Sequence, residues 1–573
     1  MPVHNSEIAE IFDHLADLLE IKGANPFRVR AYHNAANTIR GNSRSMTDIV
    51  DAGENLTELP NIGEDLAGKI TEIVRTGKLQ LLKEVSSKVP DAIVEATRIP
   101  GVGPKKAQML FQQLSLRTIG DLRQAAEEGR IEKIAGFGAK TQAKILEELS
   151  HSDFGTRRWR IDEAEDFAGP LLDWVRKIEG VSKAEIAGSY RRRKETVGDL
   201  DILAAGAQGR KIIDHFTEYD EIVSIASKGA TRSTVTLRVG LQVDLRVVGK
   251  ESWGSALHYF TGSKAHGIAC RRRAQKRGLK LNEYGLFNGT RRIAGATEDN
   301  LYKKIGLPWI DPVLREAQGE IEAAEVSALP ALITRDDIRG DLHAHTKASD
   351  GKNTLREMAE AAILKDYEYL AITDHSKSQR VAGGLSEREL EDQIEEIARM
   401  NESFAGFRLL SSCEVDILKD GSLDFPDKIL SKLDLVVVSV HSDFNMSEAE
   451  QTERIIRAMD NPLVSIVGHP TGRLIGTRRP YPVNIERLVI AAKERGCCLE
   501  LNADPQRLDL SDVQCRIARD AGVMIAISTD AHKCGSLDNI QYGVDQARRG
   551  WLSAKEVLNT REWKKVARLL TRP

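Results

Sequence analysis

Two aspartates in the stretch GSYRRRKETVGDLDIL (188–203) have the spacing of a cation site. Asp199 and Asp201 stand at i and i+2 ahead of apolar residues, so on a strand both carboxylates leave the same face. Held together they repel unless a cation lies between them. The segment LQVDLRVV supplies a third carboxylate, Asp244, if that strand pairs beside the first. Three carboxylates on one sheet suit one or two Mg²⁺ or Mn²⁺ ions, which take oxygen ligands and share them with phosphate. Two such ions can ready a primer 3′-hydroxyl and brace a leaving pyrophosphate. GSYRR, just upstream, offers backbone N–H groups, a hydroxyl and guanidinium forks to a triphosphate. The Asp-x-Asp pair taken alone fits the solvent face of an edge strand better.

A second constellation is richer in nitrogen. Six of the 13 histidines follow residue 335: His343, His345, His375, His441, His469 and His532. They stand in DLHAHT, TDHS, SVHS, GHPTG and TDAH, each at the end of an expected strand. One histidine so placed is ordinarily a satisfied surface or core group. Six of them, with Asp350, Glu414 in CEVDI and Asp530 in TDAH, read as a metal cluster. His-x-His at a strand end turns both rings to one side, so His343 and His345 can share an ion. Cys413, on an apolar strand, is expected to pack rather than ligate.

The elements that must hold these groups follow from periodicity. Residues 1–85 are expected to be helical, with apolar positions three and four apart. A glycine turn recurs in LPNIGEDL, IPGVGPKK and, more degraded, IAGFGAKT, with Gly63, Gly101, Gly103, Gly136 and Gly138 at the bends. Plain helix caps would look the same. Repetition favours helix-hairpin-helix turns, whose open N–H groups at a helix start take a phosphate, and hence sequence-independent binding of a DNA backbone. From about 160 to 250 helical and strand-like segments mix, 251–317 reads as helix and loop, and the charged stretch before residue 339 reads as a linker. From 339 onward short apolar strands alternate with amphipathic helices, the pattern of a parallel sheet, open or closed.

Composition narrows the classes. At 573 residues, 41% hydrophobic and 29% charged, the chain is expected to be a soluble protein of several domains. No 18-residue apolar run announces a membrane span, and the acidic, amphipathic N-terminus lacks the character of a signal peptide. Six cysteines without a CxxC pair suggest a reducing, cytoplasmic setting. The net charge of −3 gives no bulk attraction to nucleic acid, so any basic surface must be local.

The strings GSYRRRKETVGDLD, VDLR and YFTGSK, in that order, resemble the family X DNA polymerases, and specifically the bacterial form with an extra C-terminal domain. The resemblance spans essentially the whole chain. It implies a multidomain α+β and α/β fold: an N-terminal helical domain (1–85), fingers (86–153), a nucleotidyltransferase palm (154–250), a thumb (251–317), a linker (318–338) and a C-terminal domain (339–573). It makes Asp199, Asp201 and Asp244 the catalytic, metal-binding triad. Gly188, Ser189, Arg192 and Gly198, with Arg160, would bind the phosphates of a deoxynucleoside triphosphate, and Tyr259, Phe260 and Gly262 would meet its sugar and base. Gly267 stands where family members carry an asparagine that contacts the nascent base, so that contact is either missing or supplied by another residue, such as His266 or Lys264. Lys69 matches a lyase nucleophile, with Arg28 and Tyr32 nearby in the pattern. Asp65 replaces a helper lysine, however, and a phosphate-contacting Lys69 is as good a reading.

The histidine motifs resemble the polymerase-and-histidinol-phosphatase (PHP) domain, a distorted seven-stranded (β/α)₇ barrel holding up to three Zn²⁺, Mn²⁺ or Fe ions for phosphoester hydrolysis. By that resemblance His343, His345, Glu414 and Asp530 hold one ion, Glu414 bridges to a second at His441 and His469, and Asp350, His375 and His532 take a third. The function implied is a cytoplasmic, monomeric repair polymerase that fills short gaps in primed DNA, with a 3′-5′ exonuclease and, as an added option, cleavage at abasic sites. The alternatives are a phosphoesterase whose polymerase portion is only a DNA clamp, and a non-catalytic scaffold. Intact Asp199, Asp201 and Asp244 count against the first, and the complete set of nine ligands and three aspartates against the second.

Overall fold

The computed structural model describes residues 158–571 without interruption, and before them 5–22, 24–40, 42, 44, 46–86, 93, 96, 99, 102, 104–114, 116, 119–134, 136–138, 141–142 and 144–146. The chain forms two compact units, Met1–Arg158 and Trp159–Pro573.

The first unit is helical. Helices Asn5–Ile21 and Pro26–Arg40 pair through the apolar positions that their spacing aligns, and Phe12 meets Tyr32 edge-on at 5.5 Å. Helices Glu64–Thr76, Pro104–Gln113 and Ile119–Glu127 contribute Ile70, Leu110 and Leu122 to the same core.

The second unit begins with a five-stranded sheet in the order Val181–Ile186, Asp199–Gly206, Gln242–Val248, Arg232–Leu237, Ile222–Lys228. Only the second and third of these pair in parallel, which sets Asp201 directly opposite Asp244. Helices Ile161–Lys177 and Gly209–Phe216 bury apolar residues on one face of the sheet, and Trp253–Thr261 packs Trp253, Ala256 and Leu257 against Leu203 and Ala205. The region expected as helix and loop also holds a small antiparallel sheet, Lys280–Asn282, Gly285–Asn288 and Arg291–Ala294. Strands of three and four residues are too short to announce themselves by alternation.

The stretch expected as a linker, 318–338, is packed. Glu320 is fully buried and lies 2.6 Å from His266 Nδ1, and Ile333 joins the core of the C-terminal domain. Charge that reads as solvated in sequence is here paired inside the protein.

The C-terminal domain is a closed parallel barrel. Strands Gly340–Ala344, Tyr369–Ile372, Arg408–Ser411 and then Glu414–Asp416, Val437–Ser439, Ile466–Val467, Cys498–Asn502, Ile525–Ser528 run in sequence, every neighbouring pair parallel. Arg408–Ser411 and Glu414–Asp416 are one strand interrupted at Ser412 and Cys413, which makes seven. Bridges Ala344↔Ala531 and His375↔Glu414 close the ring where the two sheets meet. The strand ends carry all six histidines, the end at which such barrels present functional groups.

Candidate active sites

In the mixed sheet, parallel register does what two-residue spacing alone cannot. Asp199, Asp201 and Asp244 each bring an oxygen within 4.8 Å of the others. Burial, then the charges of Asp199 and Asp244, push the Asp201 carboxyl up to about 7. Asp244 accepts from the Thr234 hydroxyl and from Arg232 Nη2 at 3.2 Å. A set of three crowded oxygens suits a hard divalent cation.

The turn before the strand fits against these acids. Gly188 has φ +62°, and a Cβ there would lie 2.5 Å from Asp201 Oδ2, so no other residue fits without displacing the carboxylate. Gly188, Ser189, Arg192, Asp199, Asp201, Tyr259, Phe260 and Gly262 line one cavity of about 390 Å³. Lys264, Gly267, Arg271 and Asn282 line it too. Arg271 and Asn282 were not legible as site residues in the sequence.

Two expected residues lie elsewhere. Arg160 is held by Asp162 at 3.0 Å and Glu163 at 3.1 Å and does not line the cavity; Gly198, in the bend before Asp199, does not either. His266 cannot stand in for the missing asparagine, because both ring nitrogens are engaged inside the protein, with Glu320 and Tyr302. Gly267 faces open space, where an added Cβ would meet nothing within 4 Å, and Lys264 remains at the cavity wall.

The basic run beside the acids divides its labour. Arg191 joins Glu298 and Thr261, Arg192 joins Glu316 at 3.0 Å and the Thr261 carbonyl at 2.7 Å, and Arg193 joins Glu165 at 2.8 Å and Asp545 at 2.6 Å. Only Arg192 of the three faces the cavity. The others fasten the sheet to its neighbours.

At the barrel mouth the nine expected ligands converge. Donor groups lie within ligand-to-ligand range in three sets: His345, Asp350, His375 and His532; His343, His345 and Asp530; His375, Glu414 and His441. The grouping differs from the expected one, since His345 and His375 each fall in two sets. His469 reaches Glu414 at 2.9 Å. Nitrogens and carboxylate oxygens face each other at 3.1 Å (His345 to Asp530), 3.2 Å (His441 to Glu414) and 3.3 Å (His532 to Asp350). Such spacings match neighbours around one cation, about 3 Å apart for bonds of about 2.1 Å. Among the described residues, His343 Nε2, both nitrogens of His345, His375 Nδ1 and His469 Nδ1 are buried without a hydrogen-bond partner. Orphaned imidazole nitrogens facing carboxylates fit divalent metal.

Electrostatics agree. Burial opposes protonation of His343, yet Glu500, Glu414 and Asp530 raise it well above its ordinary range. Against the same opposition, carboxylate neighbours push His441 and His532 up to about 9. Around these three rings the pocket calls for positive charge, whereas at His345 burial wins and holds the ring below its ordinary range. His469 (φ 26°) and Asp530 (φ 53°) sit in left-handed backbone, a conformation costing roughly 1–3 kcal/mol that the surrounding barrel must offset.

A supporting shell orients the ligands. Glu500 Oε1 accepts from His343 Nδ1 at 2.7 Å, and Asp416 Oδ1 from His441 Nδ1 at 2.6 Å. Neither acid was singled out in the sequence, although a carboxylate inside the apolar strand CCLELNA is itself a signal. Arg507 also lines this pocket, its Nε 3.4 Å from Asp530 Oδ2. Cys413 is buried and donates to the Asp374 carbonyl, as a packing cysteine does.

In the helical unit, Gly63 caps helix Glu64–Thr76 without a side-chain bond, and the Gly138 carbonyl accepts from Thr141 N–H to open another turn of helix. A Cβ at either would meet nothing among the described residues within 4 Å. Gly136 has φ +87°. Gly101 and Gly103 lie outside the described residues. Lys69 is ion-paired to Asp65 and sits 5.9 Å from the centre of the Tyr32 ring.

Comparison with known proteins places the whole chain. Residues 3–79 match the helix-hairpin-helix domain, 93–150 the SAM-like helix-hairpin-helix tandem, 256–316 the DNA polymerase beta thumb and 341–503 the PHP domain. The DNA polymerase/3′-5′ exonuclease PolX of Bacillus subtilis (strain 168) is 38% identical over 574 residues, which cover 100% of both chains. A protein of Thermoanaerobacter sp. (strain X514) named probable phosphatase is 31% identical over 232 residues, 38% of this chain and 89% of that one. DNA polymerase lambda of Rattus norvegicus is 25% identical over 344 residues, 55% of this chain and 56% of that one. With a likeness that runs from end to end and includes both the thumb and the PHP barrel, the chain belongs to the bacterial family X DNA polymerases that carry a C-terminal PHP domain.

Proposed function

We propose that this protein is a DNA-directed DNA polymerase that fills short gaps during repair, and that its PHP barrel is a 3′-5′ exonuclease. The observation that carries the first half is the parallel pairing of Asp201 with Asp244 beside Asp199, with Asp199 and Asp201 at the wall of a cavity that Gly188, Ser189 and Arg192 also line. Asp199, Asp201 and Asp244 hold Mg²⁺ or Mn²⁺; the nine barrel ligands hold up to three Zn²⁺, Mn²⁺ or Fe ions. Bound there, the cations supply Lewis acidity for nucleotidyl transfer at one site and phosphodiester hydrolysis at the other.

The chain's own groups do the positioning. Ser189 and the N–H groups of the GSYR turn receive the triphosphate, and Arg192 forks onto its oxygens in exchange for Glu316. Tyr259 and Phe260, edge to face at 5.0 Å, form the wall for sugar and base. The helix-hairpin-helix turns hold the DNA backbone through open N–H groups at Gly63 and Gly138. In the barrel, Glu500 and Asp416 fix the imidazoles of His343 and His441 so that their free nitrogens point inward.

None of the six cysteines, all among the described residues, is in a disulfide, which supports a reducing, cytoplasmic setting, and we read the enzyme as a monomer. No helix among the described residues is long and apolar enough to cross a membrane. A 5′-labelled primer on a gapped duplex tests the reading: products lengthen with deoxynucleoside triphosphates and shorten without them. A primer that stays the same length in both lanes contradicts it.

A further inference from the structure

The arginines of the barrel are mostly committed. Arg473 pairs with Glu195, Arg487 with Glu453, Arg495 with Asp460, Arg548 with Asp311 and Arg549 with Asp512. Three others, Arg507, Arg478 and Arg479, are engaged less fully: among the described residues only Arg507 meets a carboxylate, at 3.4 Å.

Arg507 is the first. It lines the metal pocket, and its Nη1 is buried with no hydrogen-bond partner among the described residues. A buried donor left without an acceptor is costly, the more so when charged. Asp530 takes only its Nε, at 3.4 Å.

Arg478 and Arg479 are the others. They line a separate cavity of about 560 Å³ together with Phe444, Tyr481 and one acid, Asp443. Asp443 follows His441 by two residues, and Arg478 lies on the hairpin that follows His469. The Arg478 side chain donates one hydrogen bond, to the Gly472 carbonyl at 2.9 Å, and its guanidinium lies 4.6 Å over the Phe444 ring. Phe444 in turn stacks on Tyr481 at 5.9 Å and 11°. The exposed Arg479 has no carboxylate partner among the described residues.

The loops that carry the two cavities are bonded to one another. Ile475 N–H donates to the Gln506 carbonyl at 2.7 Å, Arg473 Nε to the Arg507 carbonyl at 2.8 Å, and the Tyr481 hydroxyl to the Pro470 carbonyl at 2.8 Å. Burial, and then the charge of Arg507, lower Arg478 from its ordinary range, so these cations feel one another. Like charges gathered beside a metal pocket, with a stacked guanidinium and two aromatic rings, match what binds a single strand: cations for successive phosphates and flat surfaces for unpaired bases.

We propose that Arg507, Arg478 and Arg479 form a track for single-stranded DNA that leads the 3′ end into the barrel, Arg507 on the phosphate to be cut and the other two on phosphates behind it. The proposal rests on the reading of the barrel as a 3′-end hydrolase.

The test uses the full chain loaded with Mn²⁺ and 5′-labelled oligothymidylates of two to twelve nucleotides, at several KCl concentrations. For the wild type, kcat/KM rises with length. In R478A/R479A the rise is lost, KM for the twelve-mer increases at least tenfold, and the slope of log(1/KM) against log[KCl] falls by about 1.4, from about 0.7 for each phosphate contact removed. In R507A, kcat drops about 100-fold even on the dinucleotide, with metal content by elemental analysis unchanged, and R507K recovers part of it. Wild-type length dependence and salt slope in R478A/R479A overturn the track, and so does an R507A enzyme with wild-type kcat. If the wild type itself cuts none of these substrates, the hydrolase reading fails instead.

Discussion

Arg473 Nη2 lies 2.7 Å from Glu195 Oε2, joining residues 278 apart in the chain. Arg473 stands four residues after His469 in the barrel, and Glu195 four residues before Asp199 in the sheet. One ion pair therefore ties a loop of the histidine site to the loop that delivers the catalytic acids. Arg193 with Asp545, Tyr542 with Glu165, and Arg549 with Glu316 extend the same seam.

Glu195→Ala should destabilise the second unit by about 1–3 kcal/mol, because the partly buried Arg473 loses its charged acceptor while keeping two carbonyl bonds. Urea unfolding followed by tryptophan fluorescence checks this. An unchanged midpoint means that the seam does not depend on the pair.

The seam also has a pH signature. Burial works against ionisation of Asp512, but Arg549 and Lys194 outweigh it and hold the carboxyl down to about 2. The unfolded value is about 3.9. A depressed pKa gives stability that is whole above about pH 4 and lost as the pH falls toward 2. Asp512→Asn should be less stable at pH 7 and should lose less between pH 4 and 2 than the wild type. Parallel curves for the two proteins across that window would contradict the assignment.

Gly188→Ala should cut primer extension at least tenfold. The added methyl meets Asp201 Oδ2, and φ +62° disfavours any side chain. Exonuclease activity of the same preparation serves as the folding control. Wild-type extension would mean that the turn can retreat from the acids.

Much of this was legible in the sequence, for identifiable reasons. Asp199, Asp201 and Asp244 sit on alternating strands whose polarity reveals which face they share, and the histidines mark strand ends. Asp416 and Glu500 were missed because a supporting acid has no spacing rule; it is recognised only once a ring nitrogen points at it. Arg160, expected on the nucleotide phosphates, is tied locally to Asp162 and Glu163. The stretch 318–338 looked like a solvated linker because pairing between Glu320 and His266, 54 residues away, cannot be read from either segment. The same holds for Arg191 and Arg193, whose partners lie up to 352 residues away.

Stripping divalent metal with a chelator should lower the melting temperature of the second unit. It leaves orphaned nitrogens and crowded carboxylates in the barrel, and bound metal adds about 2.7 kcal/mol at a hundredfold excess over its Kd. Differential scanning calorimetry before and after metal return checks it. Identical melting in both states would speak against a resident cluster.

The central claim is that one chain carries two separable metal-dependent activities, one on Asp199, Asp201 and Asp244 and one on the barrel histidines. Its most direct test compares Asp201→Ala and His343→Ala on a 5′-labelled gapped duplex, with and without nucleotides. The account predicts that Asp201→Ala no longer extends the primer but still shortens it, and that His343→Ala extends it but no longer shortens it. Extension at the wild-type rate by Asp201→Ala, or undiminished shortening by His343→Ala, would contradict it.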